Sequence, residues 1–322
     1  MRRRAFIAGL GAAAMSIPAF AQQAMPVVGF LRSTTLAPFE NIAAALRQGL
    51  KEAGFVEGHN VAIESRYADN QLDRLPALAA ELIRRPVAVI VANSSAARAA
   101  KAATATVPIV FTVGNDPVRD GLVASLNRPG GNVTGVTFLS GVLGTKRLEL
   151  LRQLVPKATS IAVLVNPNTN ETKIERNDIQ AAAQAIGQQI IIGDVGNAAD
   201  IEAAFSSFVQ RGAGALLGGT GAFLNSQREL IVALAARHGI PAIYSAREYA
   251  EAGGLMSYST SQVEAYRQTG LYAGRILKGE KPGDLPILQA TKFEFIINLK
   301  TAKALGLEFH PQLLATADEV IE

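Results

Sequence analysis

The sequence of 322 residues contains no cysteine and no tryptophan. Without cysteine, the chain can form no disulfide and has no thiolate metal ligand, cysteine nucleophile or lipid-anchoring cysteine. Aromatic residues amount to 6%, which is few for a protein that stacks side chains on nucleic acid bases. Charged residues, at 18%, are scarce, while hydrophobic residues reach 49%. This balance excludes a disordered chain, and the length predicts about two globular domains.

The formal net charge of +4 depends on the beginning of the chain. Residues 1–21 contain three of the 31 basic residues and none of the 27 acidic ones, so the rest has 28 basic and 27 acidic residues. A nearly neutral protein has little electrostatic attraction for a polyanion. We therefore expect no nucleic acid partner.

The first 21 residues have the pattern of an export signal. Three consecutive arginines from Arg2 precede a mildly apolar run, Ala5–Ile17, and an A-x-A cleavage site ends at Ala21. The run is too short to cross about 30 Å of hydrocarbon. The string RRAFI from Arg3 also fits the twin-arginine export pattern, with a general secretory signal as the alternative. We expect a cleaved signal peptide at residues 1–21 and no membrane span after it.

After Met25, short apolar runs alternate with amphipathic or alanine-rich helical patterns. Many of the apolar runs are continuous, which is typical of parallel strands covered on both faces. The predicted strands are Val27–Leu31, Val61–Tyr67, Val87–Ala92, Ile109–Val113, Val133–Phe138, Ser160–Asn166, Ile190–Asp194, Ala213–Leu217, Ala242–Tyr244 and Leu255–Tyr258. The predicted helices between them are Phe39–Ala53, Arg74–Arg84, Ser95–Ala105, Gly144–Leu154, Asp178–Ile186, Asp200–Arg211 and Ser226–His238.

Five predicted strands precede residue 140 and five follow it. The segment around this boundary, Asn127–Gly144, is rich in glycine and differs in composition from the sequence on either side. The fold class that this favours is α/β, with two doubly wound, Rossmann-like lobes that contain parallel sheets. A (β/α)₈ barrel is the alternative at this length, although it has eight strands rather than ten.

Polar residues follow the predicted strands at the ends where open parallel sheets bind ligands. A hydroxyl or amide at such a position has either a structural role, as a helix cap or in a turn, or a role in binding a ligand, and both roles stay open. We expect Ser94 or Ser95 to cap the helix that follows. The carboxylate of Asp116 is placed where a ligand ammonium could bind. The candidate ligand-binding residues of the first half are Ser33, Thr34, Asn93, Ser94, Ser95, Asn115 and Asp116.

The second half has a similar set. Asn166 follows one strand, and Thr220 belongs to a Gly-Gly-Thr-Gly string that would let the backbone approach a small ligand closely. Tyr244 offers an apolar wall with a polar tip, and Arg247 offers a fork for a carboxylate. A surface ion pair with Glu248 or Glu251 is the alternative for Arg247.

The sequence shows little sign of catalysis. His59, His238 and His310 are scattered without metal-ligand spacing, and no known catalytic or phosphate-binding motif occurs. We expect a protein that is not an enzyme and uses no metal or cofactor. An exported α/β enzyme that uses Asp116 is a weaker alternative.

Six strings resemble one known family. They are Gly121–Gly135, Ala252–Tyr258, Ile276–Pro286, Thr291–Phe295, Asn298–Leu307 and Ala317–Glu322. With them, nearly all of the chain after residue 21 resembles the ABC-transporter substrate-binding proteins of the tryptophan/tyrosine type.

The resemblance implies the type I periplasmic-binding-protein fold, with two lobes joined by crossover strands and a ligand cleft between them. It implies an N-terminal lobe of residues 26–139 with about 259–289, and a C-terminal lobe of residues 140–258 with about 290–322. It also implies that the helix Ser261–Leu277 covers the N-terminal lobe.

The function implied is that of a periplasmic receptor of an ABC importer. Its ligand would be a small amino acid or a related organic anion, and its partner an ABC permease in the inner membrane. Because no anchoring cysteine is present, we expect a freely diffusing monomer in the periplasm. A sensory module that presents its ligand to a membrane kinase or chemoreceptor would have the same fold, and it remains the alternative.

Overall fold

The computed structural model describes residues 25–138, 143–290 and 293–322, without the side chains of residues 170 and 171. The predicted signal peptide, residues 1–21, lies outside the described residues. Two β-sheets, each with helices on both faces, form the described part. This confirms the predicted α/β fold class with two Rossmann-like lobes. We call the lobe with the six-stranded sheet the first lobe and the lobe with the seven-stranded sheet the second lobe.

The strands follow the chain in this order: β1 Val27–Arg32, β2 Ala62–Tyr67, β3 Val87–Asn93, β4 Ile109–Val113, β5 Val133–Thr137, β6 Ser160–Val165, β7 Gln189–Asp194, β8 Ala215–Gly218, β9 Ala242–Tyr244, β10 Met256–Thr260, β11 Leu288–Gln289, β12 Phe293–Asn298 and β13 Glu319–Ile321. The first sheet has the order β11-β5-β4-β3-β1-β2 and is parallel throughout. The second has the order β13-β12-β10-β9-β8-β6-β7, with β10 and β12 antiparallel.

Helices connect and cover the strands. They are α1 Glu40–Glu52, α2 Leu75–Arg84, α3 Ser94–Ala103, α4 Gly144–Leu154, α5 Asn170–Ala185, α6 Ala198–Gln210, α7 Ala222–Ser226, α8 Arg228–Arg237, α9 Arg247–Glu251, α10 Gln262–Leu277, α11 Leu299–Ala304 and α12 Pro311–Leu314. The chain leaves the first sheet after β5, builds β6 to β10, returns through α10 and β11, and ends in the second sheet.

The strand β3 shows why so many strands have continuous apolar sequences. Val89 and Val91 belong to the core on one face of the sheet, which includes residues of α1 and α10. Ile90 and Ala92 belong to the core on the other face, which includes residues of α2 and α3. Because successive side chains of a strand point to opposite faces, a strand covered on both sides needs apolar residues at successive positions.

The sequence pattern missed β11, β12 and β13, and it started α5 too late, at Asp178. Strand β12 passes directly into α11 at Asn298, whose side-chain oxygen accepts a hydrogen bond from the Thr301 N–H at 3.0 Å. Where a strand continues into a helix without a turn, neither the alternation of apolar and polar residues in a strand nor the apolar period of a helix is distinct. The early turns of α5 are polar, so they show no apolar periodicity.

The helices α1 and α10 approach closely at two glycines on the first lobe. A Cβ added to Gly49 would lie 1.9 Å from the backbone oxygen of Arg267. A Cβ added to Gly270 would lie 2.3 Å from the backbone oxygen of Leu46. Both contacts are with backbone, so no side-chain rotation could relieve them. Only glycine fits at these positions in this packing.

We expect Gly270→Ala to lower the free energy of unfolding by about 2–3 kcal/mol, because the two helices must move apart. Urea unfolding followed by circular dichroism would measure the change. The control is Val263→Ala on an exposed part of the same helix, which should stay within about 0.5 kcal/mol of the parent. Equal losses in both variants would contradict the importance of the close contact.

Candidate functional site

Two adjoining cavities lie between the lobes, where the carboxyl ends of the first sheet meet loops of the second. Each has a volume of about 40 Å³. The arginine cavity is lined by Arg32, Phe39, Asn93, Ser94, Thr112, Gly114, Phe138, Thr220, Gly221, Ala222, Asn225, Ser245, Gln262 and Tyr266. The asparagine cavity is lined by Ser33, Asn70, Leu72, Ser95, Asn166, Asn168, Thr169, Thr172, Gly196, Gly221, Ala222 and Phe223.

The arginine cavity contains a buried cation at the end of β1. Arg32 is only 2% exposed, and its Nη1 donates a hydrogen bond to the Tyr266 hydroxyl at 2.6 Å. Its guanidinium carbon lies 4.5 Å from the ring centre of Phe39 and 5.4 Å from that of Tyr266. Its Nε is buried without a hydrogen-bond partner, and no described acid forms an ion pair with it. A desolvated cation in this state is stabilised by an anion in the cavity.

Beside Arg32, the ends of β1 and β3 are joined by Ser33 and Asn93. The Asn93 Oδ1 accepts a hydrogen bond from the Ser33 N–H at 3.0 Å, and the Asn93 Nδ2 donates one to the Ser33 Oγ at 2.8 Å. These bonds hold the backbone that places Arg32. The helix α3 starts here, with Asn93 as its N-cap and no side-chain cap, so the expected capping by Ser94 or Ser95 is absent. The backbone N–H groups of its first turn therefore have no side-chain acceptor in the cap position.

The second lobe contributes the loop after β8, which is held by a buried ion pair. The Glu175 Oε2 accepts hydrogen bonds from the backbone N–H and the hydroxyl of Thr220, both at 2.7 Å, and its Oε1 accepts one from Arg147. Both charged side chains are fully buried. Burial raises the pKa of the Glu175 carboxyl and lowers that of the Arg147 guanidinium, and each partner opposes the other's shift. Glu175 thereby positions Thr220 at the cavity wall.

Six of the predicted site residues line the cavities. Asn93, Ser94 and Thr220 belong to the arginine cavity. Ser33, Ser95 and Asn166 belong to the asparagine cavity. The feature that identified all six in the sequence was their position after a predicted strand, since the carboxyl ends of these strands lie at the cleft.

The structure places the other five predicted residues away from these linings. Thr34 and Asn115 are buried without lining either cavity. The Asp116 Oδ1 accepts hydrogen bonds from the N–H groups of Val118 and Arg119 at 2.8 and 3.3 Å, so it closes its own turn.

Tyr244 and Arg247 also have other contacts. The Tyr244 ring is stacked on that of Tyr249 at 4.6 Å in the core, and burial raises the pKa of its hydroxyl. Arg247 forms ion pairs with Glu251 at 2.7 Å and with Glu319 at 2.8 Å. These contacts agree with the alternative interpretation, in which Arg247 forms a surface ion pair.

Several lining residues were missed by reasoning from the sequence. Arg32 directly precedes Ser33, and its signal was a lone arginine at the end of an otherwise apolar strand. Tyr266 and Gln262 lie on α10, far along the chain, and no local pattern connects them with Arg32. Behind the lining, Arg147 lies on a helix that was predicted only to cover the sheet, while Glu175 lies in the early part of α5, before the predicted start of that helix at Asp178.

A comparison with known proteins agrees with this architecture. The family model described as ABC transporter substrate binding protein matches residues 38–321. The chain belongs to this family.

Three members or structural neighbours are similar over most of their lengths. A tyrosine-binding protein of Clostridioides difficile (strain R20291) is 29% identical over 81% of this chain and 75% of its own length. The crystal structure of a conserved domain protein from Vibrio cholerae has a TM-score of 0.86 at 26% identity, over 92% of this chain and 99% of that one. An ABC domain from Streptococcus pneumonia in complex with L-Trp has a TM-score of 0.84 at 24% identity, with the same coverage.

Two further features concern the described residues of this substrate-binding protein. None of its described helices is long and apolar enough to cross a membrane. Within the described ranges, no group of three or more histidine or acidic side chains is placed to hold a metal ion.

We expect Glu175→Ala to lower the free energy of unfolding by about 3–5 kcal/mol, because it removes the carboxylate that faces the buried Arg147. Guanidinium unfolding would measure the loss. The control Glu149→Ala removes an exposed ion pair with Lys146 and should cost less than about 1 kcal/mol. A Glu175→Ala variant as stable as this control would show that the buried pair does not support the loop.

Proposed function

We propose that this protein is the solute receptor of an ABC importer and binds a small carboxylate-bearing molecule between its lobes. The observation that supports this is Arg32, a buried guanidinium that lines a cavity between the two sheets and has no described acidic partner. The family supports the role as a substrate-binding protein. Carboxylate oxygens match the planar fork of an arginine, which makes this ligand chemistry the natural one.

The proposed ligands are amino acids or related organic anions, because similar proteins are described as a tyrosine-binding protein and as an L-Trp complex. We place the receptor in the periplasm as a monomer, after cleavage of residues 1–21, with an inner-membrane permease as its partner. Its role is binding and delivery, not catalysis. The pattern of residues 1–21 supports export.

We also propose lobe limits at residues 26–139 with 259–289 and 140–258 with 290–322, and a hinge at the crossings between them. In support, Thr260 at the end of β10 donates its hydroxyl hydrogen bond to the backbone oxygen of Phe138 beside β5. The chain passes between the sheets at this point, so a small change of backbone angle there would rotate one lobe relative to the other.

We propose that the described conformation is the closed form. Contacts across the cleft support this. Arg119 on the first lobe pairs with both carboxylate oxygens of Asp178 at 2.9 and 3.2 Å. Arg228 on the second lobe donates a hydrogen bond to the Pro38 oxygen at 3.2 Å. Such contacts form only when the lobes have approached each other, and a ligand that binds both lobes favours this state.

Arg32→Met should weaken ligand binding about 10- to 100-fold, because a charge-assisted hydrogen bond contributes about 1.5–3 kcal/mol. Ligand-stripped protein would first be screened by thermal shift against amino acids and organic anions, and any hit would be titrated by calorimetry. Without ligand, the variant should be as stable as the parent or more stable, because a desolvated charge is removed.

The matched control is Arg47→Met on the exposed side of α1, where the arginine pairs with Glu57. This variant should bind the same ligand with unchanged affinity. If Arg32→Met binds as well as the control, Arg32 does not bind the ligand. If no compound in the screen raises the melting temperature of the parent protein, the proposed class of ligand is wrong.

Asp178→Asn should lower ligand affinity by about twofold to fivefold, because it removes an exposed ion pair that forms only on closure. The effect should shrink in high salt, which screens exposed charges. The control Asp194→Asn breaks an exposed ion pair with Arg176 inside the second lobe and should leave affinity unchanged. Small-angle scattering should show a larger ligand-free radius only for Asp178→Asn; identical curves for both variants would contradict a role in closure.

A further inference from the structure

The described side chains that line the two cavities include a positive charge but no negative charge. Arg32 is the only charged side chain among the described residues that line either one. Next to Phe138 come residues 139–142, whose sequence Leu-Ser-Gly-Val has no ionisable side chain. The lining therefore has one formal positive charge and no described carboxylate to balance it.

From this inventory, and on the basis of the function proposed above, we infer that the site selects carboxylate anions without an ammonium group over zwitterionic amino acids. The class that fits best is a 2-hydroxy acid, in which a hydroxyl replaces the α-ammonium. A net charge of −1 on the ligand neutralises Arg32. A zwitterion brings no net charge, so the closed cavity would keep an excess positive charge away from water.

An ammonium group also needs its own acceptor inside the cleft, and the nearby acids have other partners. Both oxygens of Glu175 accept hydrogen bonds from Thr220 and Arg147, and the carboxylate is fully buried. Asp116 closes its own turn, and Asp178 pairs with Arg119 at the cleft edge. None of these three carboxylates lines either cavity, so none is placed to accept a hydrogen bond from an ammonium group there.

The cavity does contain a neutral acceptor. Asn225 lines the arginine cavity, and its Oδ1 is buried without a hydrogen-bond partner. One neutral oxygen can accept the single O–H of a hydroxyl group. It cannot supply the charge and the several acceptors that a buried ammonium requires. Asn225 therefore suits a hydroxyl beside the ligand carboxylate.

Arg32 itself has the free edge that a carboxylate needs. Its Nη1 donates to Tyr266, while its Nε has no partner. The Nε and Nη2 donors lie on one edge of the guanidinium and can hold two oxygens of a carboxylate side by side. The aromatic rings of Phe39 and Tyr266 pack against the guanidinium and keep water from competing for this edge.

The test uses matched pairs of ligands that differ only in ammonium and hydroxyl. The pairs are L-phenylalanine with L-phenyllactate, L-tyrosine with 4-hydroxyphenyllactate, L-leucine with its 2-hydroxy analogue, and L-alanine with L-lactate. Each would be titrated by calorimetry into ligand-stripped protein. We expect the hydroxy acid to bind at least about tenfold more tightly in every pair that gives measurable binding.

If the amino acid binds equally or more tightly, the inference about charge is overturned, while the proposed receptor function stands. If no member of any pair binds, the proposed function as a receptor for small carboxylates is overturned together with the inference. These two results are distinguishable because the first requires a measured affinity and the second requires its absence.

A variant that adds a negative charge to the cavity provides a second test of this selectivity. Asn225→Asp keeps the size of the side chain and adds the carboxylate that the lining lacks. It should move the ratio of the two affinities by about tenfold or more toward the amino acid. Gln48→Glu, on the exposed part of α1, adds the same charge outside the cleft and should leave the ratio unchanged. An unchanged ratio in a folded Asn225→Asp protein would overturn the role of Asn225.

Discussion

The covering of both faces of each parallel sheet is the constraint on which the rest of the structure depends. Helices cover both faces of each sheet, and irregular polar backbone collects at the ends of the strands. The carboxyl ends of β1 and β3 point to the cleft, where the loop after β8 meets them. The position of the proposed ligand site is thus a consequence of the layer architecture, and its chemistry is set by the residues that occupy the strand ends.

Arg32 gives this cleft its electrostatic character. Removing a guanidinium from water is costly, and here the protein offers a tyrosine hydroxyl and aromatic faces instead of a carboxylate. Tyr266 belongs to α10, the helix that packs closely on α1 at Gly49 and Gly270. The partner of Arg32 is therefore held by a helix that is part of the packed core of the first lobe.

The contacts that hold the lobes together are individually weak. The pair of Arg119 and Asp178 is largely exposed, and exposed ion pairs contribute about 1 kcal/mol or less. A few such contacts contribute little stability, so in the proposed receptor a ligand that binds both lobes would decide the balance between the open and closed states. The buried pair of Arg147 and Glu175 has another role, since it keeps the second-lobe loop in place inside its own lobe.

The sequence by itself determined the α/β class and the two lobes, and it identified polar candidates at the strand ends where the cavities lie. These follow from local features: continuous apolar runs between helical patterns, and polar residues directly after them. Six predicted residues, among them Asn93 and Thr220, line the cavities for this reason. Strand β12 was missed because it passes into a helix without a turn, so its period is not distinct.

Only the tertiary structure decided which polar residues face the cleft and which have other partners. Tyr266 lies 234 positions from Arg32, and Glu175 lies 45 positions from Thr220, so no local period could bring them together. Asp116 and Arg247 have site-like chemistry, yet nearer partners occupy them. Whether a charged group is buried, and whether it is paired, depends on contacts between distant segments, and those contacts exist only after the chain has folded.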